Sequence, residues 1–312
     1  MENLLFAEEL REAINSGQER DFTNVSFRSN ALTGQGTDIE VESVLDIIVQ
    51  DAAENSGLIS AVNLIPIKST KGNVPVQKDS IGKFVPLKRF EAYTEVELNY
   101  DCAELESKKF GLAVKVSDES LDDSAVDLES DVKRQLTESY IETVEELIVK
   151  GNARKGIDGL NDISEADGAV KVVQTKTGAI TSADIEAIYK ALAKKYRKGA
   201  KWVMSDEVAL QIGSLKDAQG NYIYPTMQGD NLTLLNKPVI VSVDCADGLA
   251  TGDKSIFFGD LKRALVFGPR KGLTIKKSKT PHFIEDITLL KATTILDIKK
   301  ALCKAMVYFE AV

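Results

Sequence analysis

A long amphipathic helix is the feature that most restricts how this chain can fold. Ser124 is a typical N-cap residue, Asp127 suits the positive end of the helix dipole, and Gly151 ends the pattern. Between these points apolar residues recur four positions apart: Leu128, Val132, Leu136, Tyr140, Val144 and Ile148. About 27 residues at a rise of about 1.5 Å give a rod of roughly 40 Å. Because only one face of the rod is apolar, we expect it to lie across a sheet.

Residues 68–98 predict a long two-stranded ribbon. Apolar and polar residues alternate there in short stretches that are interrupted by Gly72, Pro75, Gly82 and Pro86. Alternation is typical of strands, and proline confines a strand to the edge of a sheet. Because an isolated hairpin is barely stable in water, we expect the ribbon to lie on another surface.

The remaining segments predict a mixed α+β fold. Residues 2–16 have the spacing of a short amphipathic helix, and residues 16–37 are rich in Ser, Asn, Gly and Thr, which indicates an arm. Residues 152–180 are rich in Gly and Asp, and helices and strands alternate beyond them, with Ser182 and Ser205 as expected helix caps. Residues 284–312 alternate over a long span, which favours a long, bent strand pair.

The charge of the chain is concentrated at its N-terminal end. Residues 1–60 hold 12 Asp or Glu and 3 Arg, so this end carries the formal charge of −9 and the rest of the 312 residues is neutral. A pI near 5.0 argues against a dedicated nucleic-acid binder. The sequence contains neither an apolar run that could span a bilayer nor the start of a signal peptide. We therefore expect a cytosolic protein without membrane contact.

Residues that commonly carry catalysis are few. Cys102, Cys245 and Cys303 are far apart in sequence and never in a C-x-x-C pattern, so they indicate plain thiols rather than a zinc site or a disulfide framework. His282 is the only histidine, so a serine or cysteine hydrolase with a histidine base would depend on this one residue. We expect no catalytic residue, no metal and no cofactor.

Two further patterns have simpler explanations than a binding site. The stretch Gly248–Ser255 lacks the lysine that must follow the second glycine of a phosphate loop, because Asp253 stands there. Acidic residues between 118 and 131 could hold a divalent ion, but their position at a helix start is explained by capping and by the helix dipole. Neither pattern predicts an enzyme.

Basic residues form two clusters along the sequence. One comprises Lys194, Lys195, Arg197, Lys198 and Lys201, and the other comprises Lys262, Arg263, Arg270, Lys271, Lys276, Lys277 and Lys279. These residues could contact phosphate, form a solvated surface, or pair with acidic groups on a neighbouring subunit. The sequence favours the last two interpretations over the first.

Residues 116–129, 201–239 and 257–267 contain three stretches that, in this order, resemble the major capsid protein of tailed bacteriophages, which has the Hong Kong 97 fold. Val116–Ser124 with Asp127–Glu129 resembles the family's turn into its spine helix. Residues 201–207, 215–222 and 235–239 together resemble its apical run, and Phe257–Leu261 with Ala264–Phe267 resembles the strand that closes it. The resemblance extends over residues 40–312.

The resemblance implies an α+β, Hong Kong 97-like architecture. The implied parts are an N-terminal arm at 1–40, a peripheral lead-in at 41–67, an E-loop ribbon at 68–98, a peripheral domain at 99–179 with its spine helix at about 124–150, an α/β axial domain at 180–275 and peripheral closing strands at 276–312. The implied function is a non-enzymatic subunit that self-assembles into hexamers and pentamers of an icosahedral head around double-stranded DNA. Such a protein is made in the host bacterial cytoplasm and ends in the virion capsid.

The expected assembly residues follow from the ribbon and from the charge pattern. They are Lys71, Gly72, Lys78, Lys83 and Lys88 on the ribbon, and Glu8, Glu9 and Glu12, which we expect to pair with basic residues that include Lys262, Arg263, Arg270 and Lys271. We do not carry over the family's cross-link between a ribbon lysine and an asparagine. Deletion of residues 72–88 should leave a soluble subunit that cannot form stable shells.

The partners and alternatives complete the prediction. We expect separate scaffolding and portal proteins, and packaged DNA without sequence-specific contact. An encapsulin-type nanocompartment shell and, from a different class, a cytosolic α/β enzyme remain the alternatives. Purified shells that lack DNA and a portal would favour the first, and a monomer or small oligomer in light scattering would favour the second.

Overall fold

The computed structural model describes residues 56–77, 86–87, 93, 95, 100–119, 128–174, 179–227, 229, 231–247, 250–278 and 286–311. Four α-helices are described: α1 (Leu128–Lys150), α2 (Ser182–Ala191), α3 (Asp206–Gly213) and α4 (Leu261–Ala264). The described strands are β1 (Asn63–Leu64), β2 (Lys71–Gln77), β3 (Tyr100–Glu106), β4 (Lys108–Ser117), β5 (Val170–Val173), β6 (Lys201–Met204), β7 (Thr233–Leu234), β8 (Lys237–Val241), β9 (Lys254–Gly259), β10 (Leu265–Ser278), β11 (Ile287–Lys300) and β12 (Met306–Glu310). The predictions for the arm and for the helix start at Ser124 lie outside the described residues.

The long helix α1 packs across a four-stranded sheet, as its apolar stripe predicts. The sheet has the strand order β1-β10-β11-β4, and all its pairs are antiparallel except β1 with β10. Leu136, Val144 and Ile148 are buried in one core with Leu273 and Leu290 of the sheet. The helix ends at Lys150, where Gly151 adopts a φ of 66°, a left-handed conformation that favours glycine.

A second sheet of six strands has the order β5-β12-β9-β6-β8-β7. Its core contains Trp202 and Phe258, whose ring centroids are 4.1 Å apart, and the Trp202 indole N–H donates to the carbonyl of Leu234 at 3.0 Å. Helices α2 and α3 pack on this core. Ser205 caps α3 as predicted, whereas α2 is capped by Thr181 rather than Ser182. The Thr181 hydroxyl accepts the backbone N–H of Asp184 at 3.3 Å, and the Asp184 carboxylate accepts the backbone N–H of Thr181 at 2.9 Å.

The predicted strand pair at the C-terminal end is wrong. Strand β11 pairs with β10 and β4, but β12 lies in the six-stranded sheet between β5 and β9. A short 3₁₀ turn at Cys303–Ala305 separates the two strands. Met306 to Phe309 are buried on both faces, so β12 is a central strand of the six-stranded sheet rather than half of a hairpin. In the stretch Ala264–Phe267, Ala264 ends α4, and Leu265 begins the longer strand β10.

Candidate assembly surfaces

The ribbon begins as the antiparallel pair β2–β3. Its register runs from Lys71 opposite Glu106 to Gln77 opposite Tyr100, so the second strand lies beyond the predicted limit of residue 98. Ala103 and Leu105 are buried, and Leu105 packs in a small core with Ile67 and Val266 of the body. This contact places the base of the ribbon on the body of its own chain.

A buried carboxylate fixes this base. Asp297 of β11 is fully buried, and it accepts the backbone N–H of Glu106 at 2.7 Å and the ammonium of Lys108 at 3.1 Å. The same ammonium donates to the carbonyl of Gly156 at 2.7 Å, and Lys299 donates to that carbonyl at 2.8 Å. The clamp therefore ties the end of β3 and the start of β4 to β11 and to the loop after α1.

Little in the sequence predicts this clamp. Asp297 stands between Leu296 and Ile298 in an otherwise apolar stretch, and a charge at such a position is the one available signal. Aspartate is rarely fully buried unless it is paired, so an isolated Asp in a core strand points to a cation nearby. The identity of that cation depends on strand pairing that a sequence pattern does not contain.

The predicted ribbon residues divide into two groups. Lys71 is exposed and lies 3.3 Å from Glu106 across the β2–β3 pair. Gly72 lies opposite Leu105, and a Cβ at Gly72 would lie 3.0 Å from the Cγ2 of Ile67, so the glycine permits close packing. Lys78, Lys83 and Lys88 lie outside the described residues, as do the acidic residues Glu8, Glu9 and Glu12.

The second basic cluster of the sequence is not one surface. A strand of 14 residues is roughly 46 Å long, and β10 spreads the residues of this cluster along its length. Lys262 and Arg263 are exposed in α4, whereas Arg270 and Lys271 are exposed at an irregularity in the β10–β11 register. Further along β10, Lys277 donates to Glu129 of α1 at 2.5 Å.

The near end of that cluster meets the first one. Lys201 lies opposite Gly259 in the β6–β9 pair, and Gly259 is three residues before Lys262 in the sequence. The guanidinium carbon of Arg263 is 5.7 Å, and the ammonium of Lys195 4.8 Å, from the ring centroid of the buried Tyr196. We call Lys195, Lys201, Lys262 and Arg263 the Tyr196 cation cluster.

Residues with possible chemistry have structural roles instead. Lys254, from the stretch that resembles a phosphate loop, donates to the carbonyls of Asn161 and Ile163, each at 2.7 Å. Burial lowers the pKa of its ammonium. Glu129, from the acidic stretch, accepts from Lys133 and Lys277, and these hydrogen bonds lower its carboxyl pKa. Residues 120–127 of the acidic stretch lie outside the described residues.

The buried cysteines are unsuited to reaction. Burial raises the pKa of the Cys245 thiol to about 12 and that of the Cys303 thiol to about 11, whereas Cys102 on the ribbon is exposed. The described part of the chain contains no group of three or more His, Cys, Asp or Glu that could hold a metal ion. None of its helices is both long and apolar enough to cross a membrane. His282 lies outside this part.

Two surfaces beside α1 are open. A groove of about 240 Å³ lies between α1 and the four-stranded sheet, and Phe110, Leu112, Leu136 and Tyr140 contribute to its lining. Leu112 is 52% exposed in β4. Among the described strands, β4 pairs only with β11, so ten residues form a free sheet edge. An exposed edge of this length is normally covered by another chain or element.

Residues 41–310 match the phage capsid family. The chain belongs to the phage capsid family. This match covers most of the 312 residues and includes both sheets, the base of the ribbon and α1. No protein among the curated sequences matches the chain. The family resemblance seen in the sequence is therefore confirmed.

Solved capsid structures share the fold. The capsid of an empty GTA particle, computed with C5 symmetry, is 18% identical, with a TM-score of 0.71 over 97% of each chain. Chains from Gordonia phage Cozz (14% identical, 82% of this chain and 86% of that chain) and Mycobacterium phage Bobi (12% identical, 97% and 98%) each have a TM-score of 0.61. At these identities the likeness concerns the fold, which is a mixed α+β capsid fold.

Proposed function

We propose that this chain is the major capsid protein of a tailed phage, and that its copies form hexamers and pentamers of an icosahedral head of the Hong Kong 97 type. The observation that carries the proposal is the family match over residues 41–310, together with a fold shared with capsid chains along nearly their whole length. Such a subunit is a building block and not an enzyme.

The surfaces of the single chain support this proposal physically. The described base of the ribbon is a pair of strands with no third strand beside it among the described residues, and an isolated pair of strands is marginal in water. The free edge of β4 and the apolar groove beside it are also surfaces that a monomer would be expected to cover. A closed assembly of identical copies covers such surfaces and, unlike an open filament, does not continue to grow.

The parts of the chain receive roles on this proposal. Residues 1–40 act as an arm, 41–67, 99–179 and 276–312 form the peripheral domain, 180–275 the axial domain and 68–98 the E-loop over a neighbouring subunit. The C-terminal strand β12 modifies this division, because it belongs to the same sheet as β6, β8 and β9 of the axial segment. Lys71, Gly72, Lys78, Lys83 and Lys88 are the ribbon residues at which a neighbour would make contact.

Charge provides a second route to subunit contact. The N-terminal 60 residues carry the whole net charge of the chain, and Glu8, Glu9 and Glu12 are among their acids. Basic residues of a neighbour, including Lys262, Arg263, Arg270 and Lys271, would offset that charge in a shell. Scaffolding and portal proteins and the packaged DNA are the other expected partners, with assembly in the host bacterial cytoplasm and the virion capsid as the final location.

The ribbon offers a direct test. Because Gln77 lies opposite Tyr100, a two-residue Asn-Gly turn in place of residues 78–99 would close the pair while keeping β2 and β3. We expect wild-type protein to sediment as large particles and the short-ribbon variant to sediment as small oligomers. Thermal unfolding is the control, since an unchanged Tm excludes a general folding defect. Wild-type particles from the short-ribbon variant would contradict the assigned role of the ribbon.

A further inference from the structure

The Tyr196 cation cluster joins two segments that are 60 residues apart in the sequence. Lys195 and Lys201 come from the loop and strand after α2, whereas Lys262 and Arg263 come from α4. The β6–β9 pair brings them together, because Lys201 lies opposite Gly259. Tyr196 lies below Lys195 and Arg263 and is itself buried, so the cations are held above an apolar floor.

The cations of the cluster outnumber the carboxylates that form ion pairs with them among the described residues. In the described part of the chain, the ion pair of the cluster with a carboxylate is that of Arg263, whose guanidinium lies 3.3 Å from Asp260. No carboxylate of the described residues forms an ion pair with Lys195, Lys201 or Lys262. This distinguishes the cluster from the far end of β10, where Lys277 is already paired with Glu129.

Like charge also acts inside the cluster. Burial lowers the pKa of the Lys201 ammonium, and the nearby charge of Lys262 lowers it further. An anionic group placed between these two ammonium groups would remove both the repulsion and part of the cost of burial. A carboxylate beside Lys201 and Lys262 would therefore be stabilised, and no ion pair among the described residues supplies one.

We propose that the Tyr196 cation cluster is the docking site for the acidic N-terminal residues Glu8, Glu9 and Glu12 of a neighbouring copy. This inference rests on the proposed shell function and narrows its charge contact to one site. The chain itself favours a carboxylate partner, since residues 1–60 carry the net charge of −9 and the rest is neutral. Every neighbour in a shell brings that acidic segment with it.

Lys262→Glu tests the site, with Lys216→Glu as the matched control. Both lysines are exposed, and Lys216 also lies over a tyrosine, with its ammonium 4.8 Å from the ring centroid of Tyr222, but it is outside the cluster. The measurement is the protein concentration at which particles first appear in light scattering, at about 0.05 M and about 1 M salt. We expect Lys262→Glu to raise that concentration about two- to fivefold at low salt and not at high salt, as for loss of one exposed ion pair. Lys216→Glu should assemble like the wild type.

A rescue experiment identifies the partner. Combining Lys262→Glu and Lys201→Glu with Glu8→Lys, Glu9→Lys and Glu12→Lys restores opposite charges, so assembly should return toward the wild-type concentration. Failure to rescue, or equal behaviour of Lys262→Glu and Lys216→Glu, overturns the site. Normal assembly of Lys262→Glu with less packaged DNA overturns it in favour of a phosphate contact. If wild-type protein forms no particles at any concentration, the proposed shell function is wrong. This result is distinct from failure of the docking site, because it involves no variant.

Discussion

Replacement of Asp297 by alanine should loosen the ribbon from the body. The substitution removes the acceptor of the Glu106 N–H, which is 2.7 Å away, and the partner of the Lys108 ammonium at 3.1 Å. Lys108 keeps its hydrogen bond to the carbonyl of Gly156 but loses its counter-ion. β3 would then lose its hydrogen bond to β11, whereas β4 would keep its backbone pairing with β11 and lose only the ion pair of Lys108.

The size of the effect follows from burial. Removal of one partner of a buried ion pair costs about 3–5 kcal/mol. Side-chain exposure is 0% for Asp297 but 15% for Lys108, so water can partly solvate the remaining ammonium, and we expect the lower end, about 3 kcal/mol. For a chain of 312 residues the unfolding entropy at Tm is about 0.66 kcal/mol/K, so that loss lowers Tm by roughly 5 °C. Asp297→Asn keeps an acceptor for the N–H and should cost about 1–2 kcal/mol.

Differential scanning fluorimetry of the unassembled subunit measures these shifts. Asp131→Asn is the matched control, because Asp131 lies 2.6 Å from Arg134 in a pair whose side chains are 34% and 62% exposed, and Tm should not change. Sedimentation of the Asp297→Ala protein should also show fewer particles than wild type. A Tm within about 2 °C of the wild-type value for Asp297→Ala would refute the idea that this carboxylate holds the ribbon base.

Two further predictions concern thiols and acid. Ellman's reagent at pH 8 should titrate only Cys102 in the unassembled native subunit, because burial holds the thiol pKa of Cys245 near 12 and of Cys303 near 11; rapid reaction of two or more thiols would contradict this. Burial raises the pKa of Asp167, but hydrogen bonds led by that from Lys300 outweigh it and leave the pKa below its ordinary value. The ionised Asp167 carboxylate therefore stabilises the fold above the ordinary aspartate pKa, and this stabilisation is lost as pH falls through the lowered pKa. Because Asp167→Asn has no such group to protonate, its Tm should fall less between pH 6 and pH 3 than the Tm of the wild type. An equal fall would exclude this role.

Local patterns predict local structure well in this chain. The apolar stripe of α1 and its end at Gly151 are both present, because helix periodicity and a left-handed glycine depend on neighbours in the sequence. The β2 half of the ribbon also follows from alternation. Its partner β3 lies beyond residue 98, the predicted end of the ribbon, because alternation identifies strands but does not determine which strands pair.

Long-range arrangement explains the other differences. A sequence pattern could not tell that β12 leaves the sheet of β11. It could not tell either that Lys201 and Lys262 meet, whereas Lys277 lies at the far end of β10 beside Glu129. Such contacts depend on strand order and register. The family resemblance identifies the class of protein from short motifs, whereas the Asp297 clamp depends on how β3, β4 and β11 are arranged in space.

Electron cryo-microscopy of the purified wild-type protein tests the central claim most directly. We expect closed particles of uniform size whose subunit has the α1 helix across the four-stranded sheet, with the ribbon of each subunit lying on a neighbour. Fivefold vertices among sixfold units would establish the icosahedral arrangement. A protein that remains a 34.1 kDa monomer, or forms only small oligomers over a wide range of concentration and salt, would contradict the account.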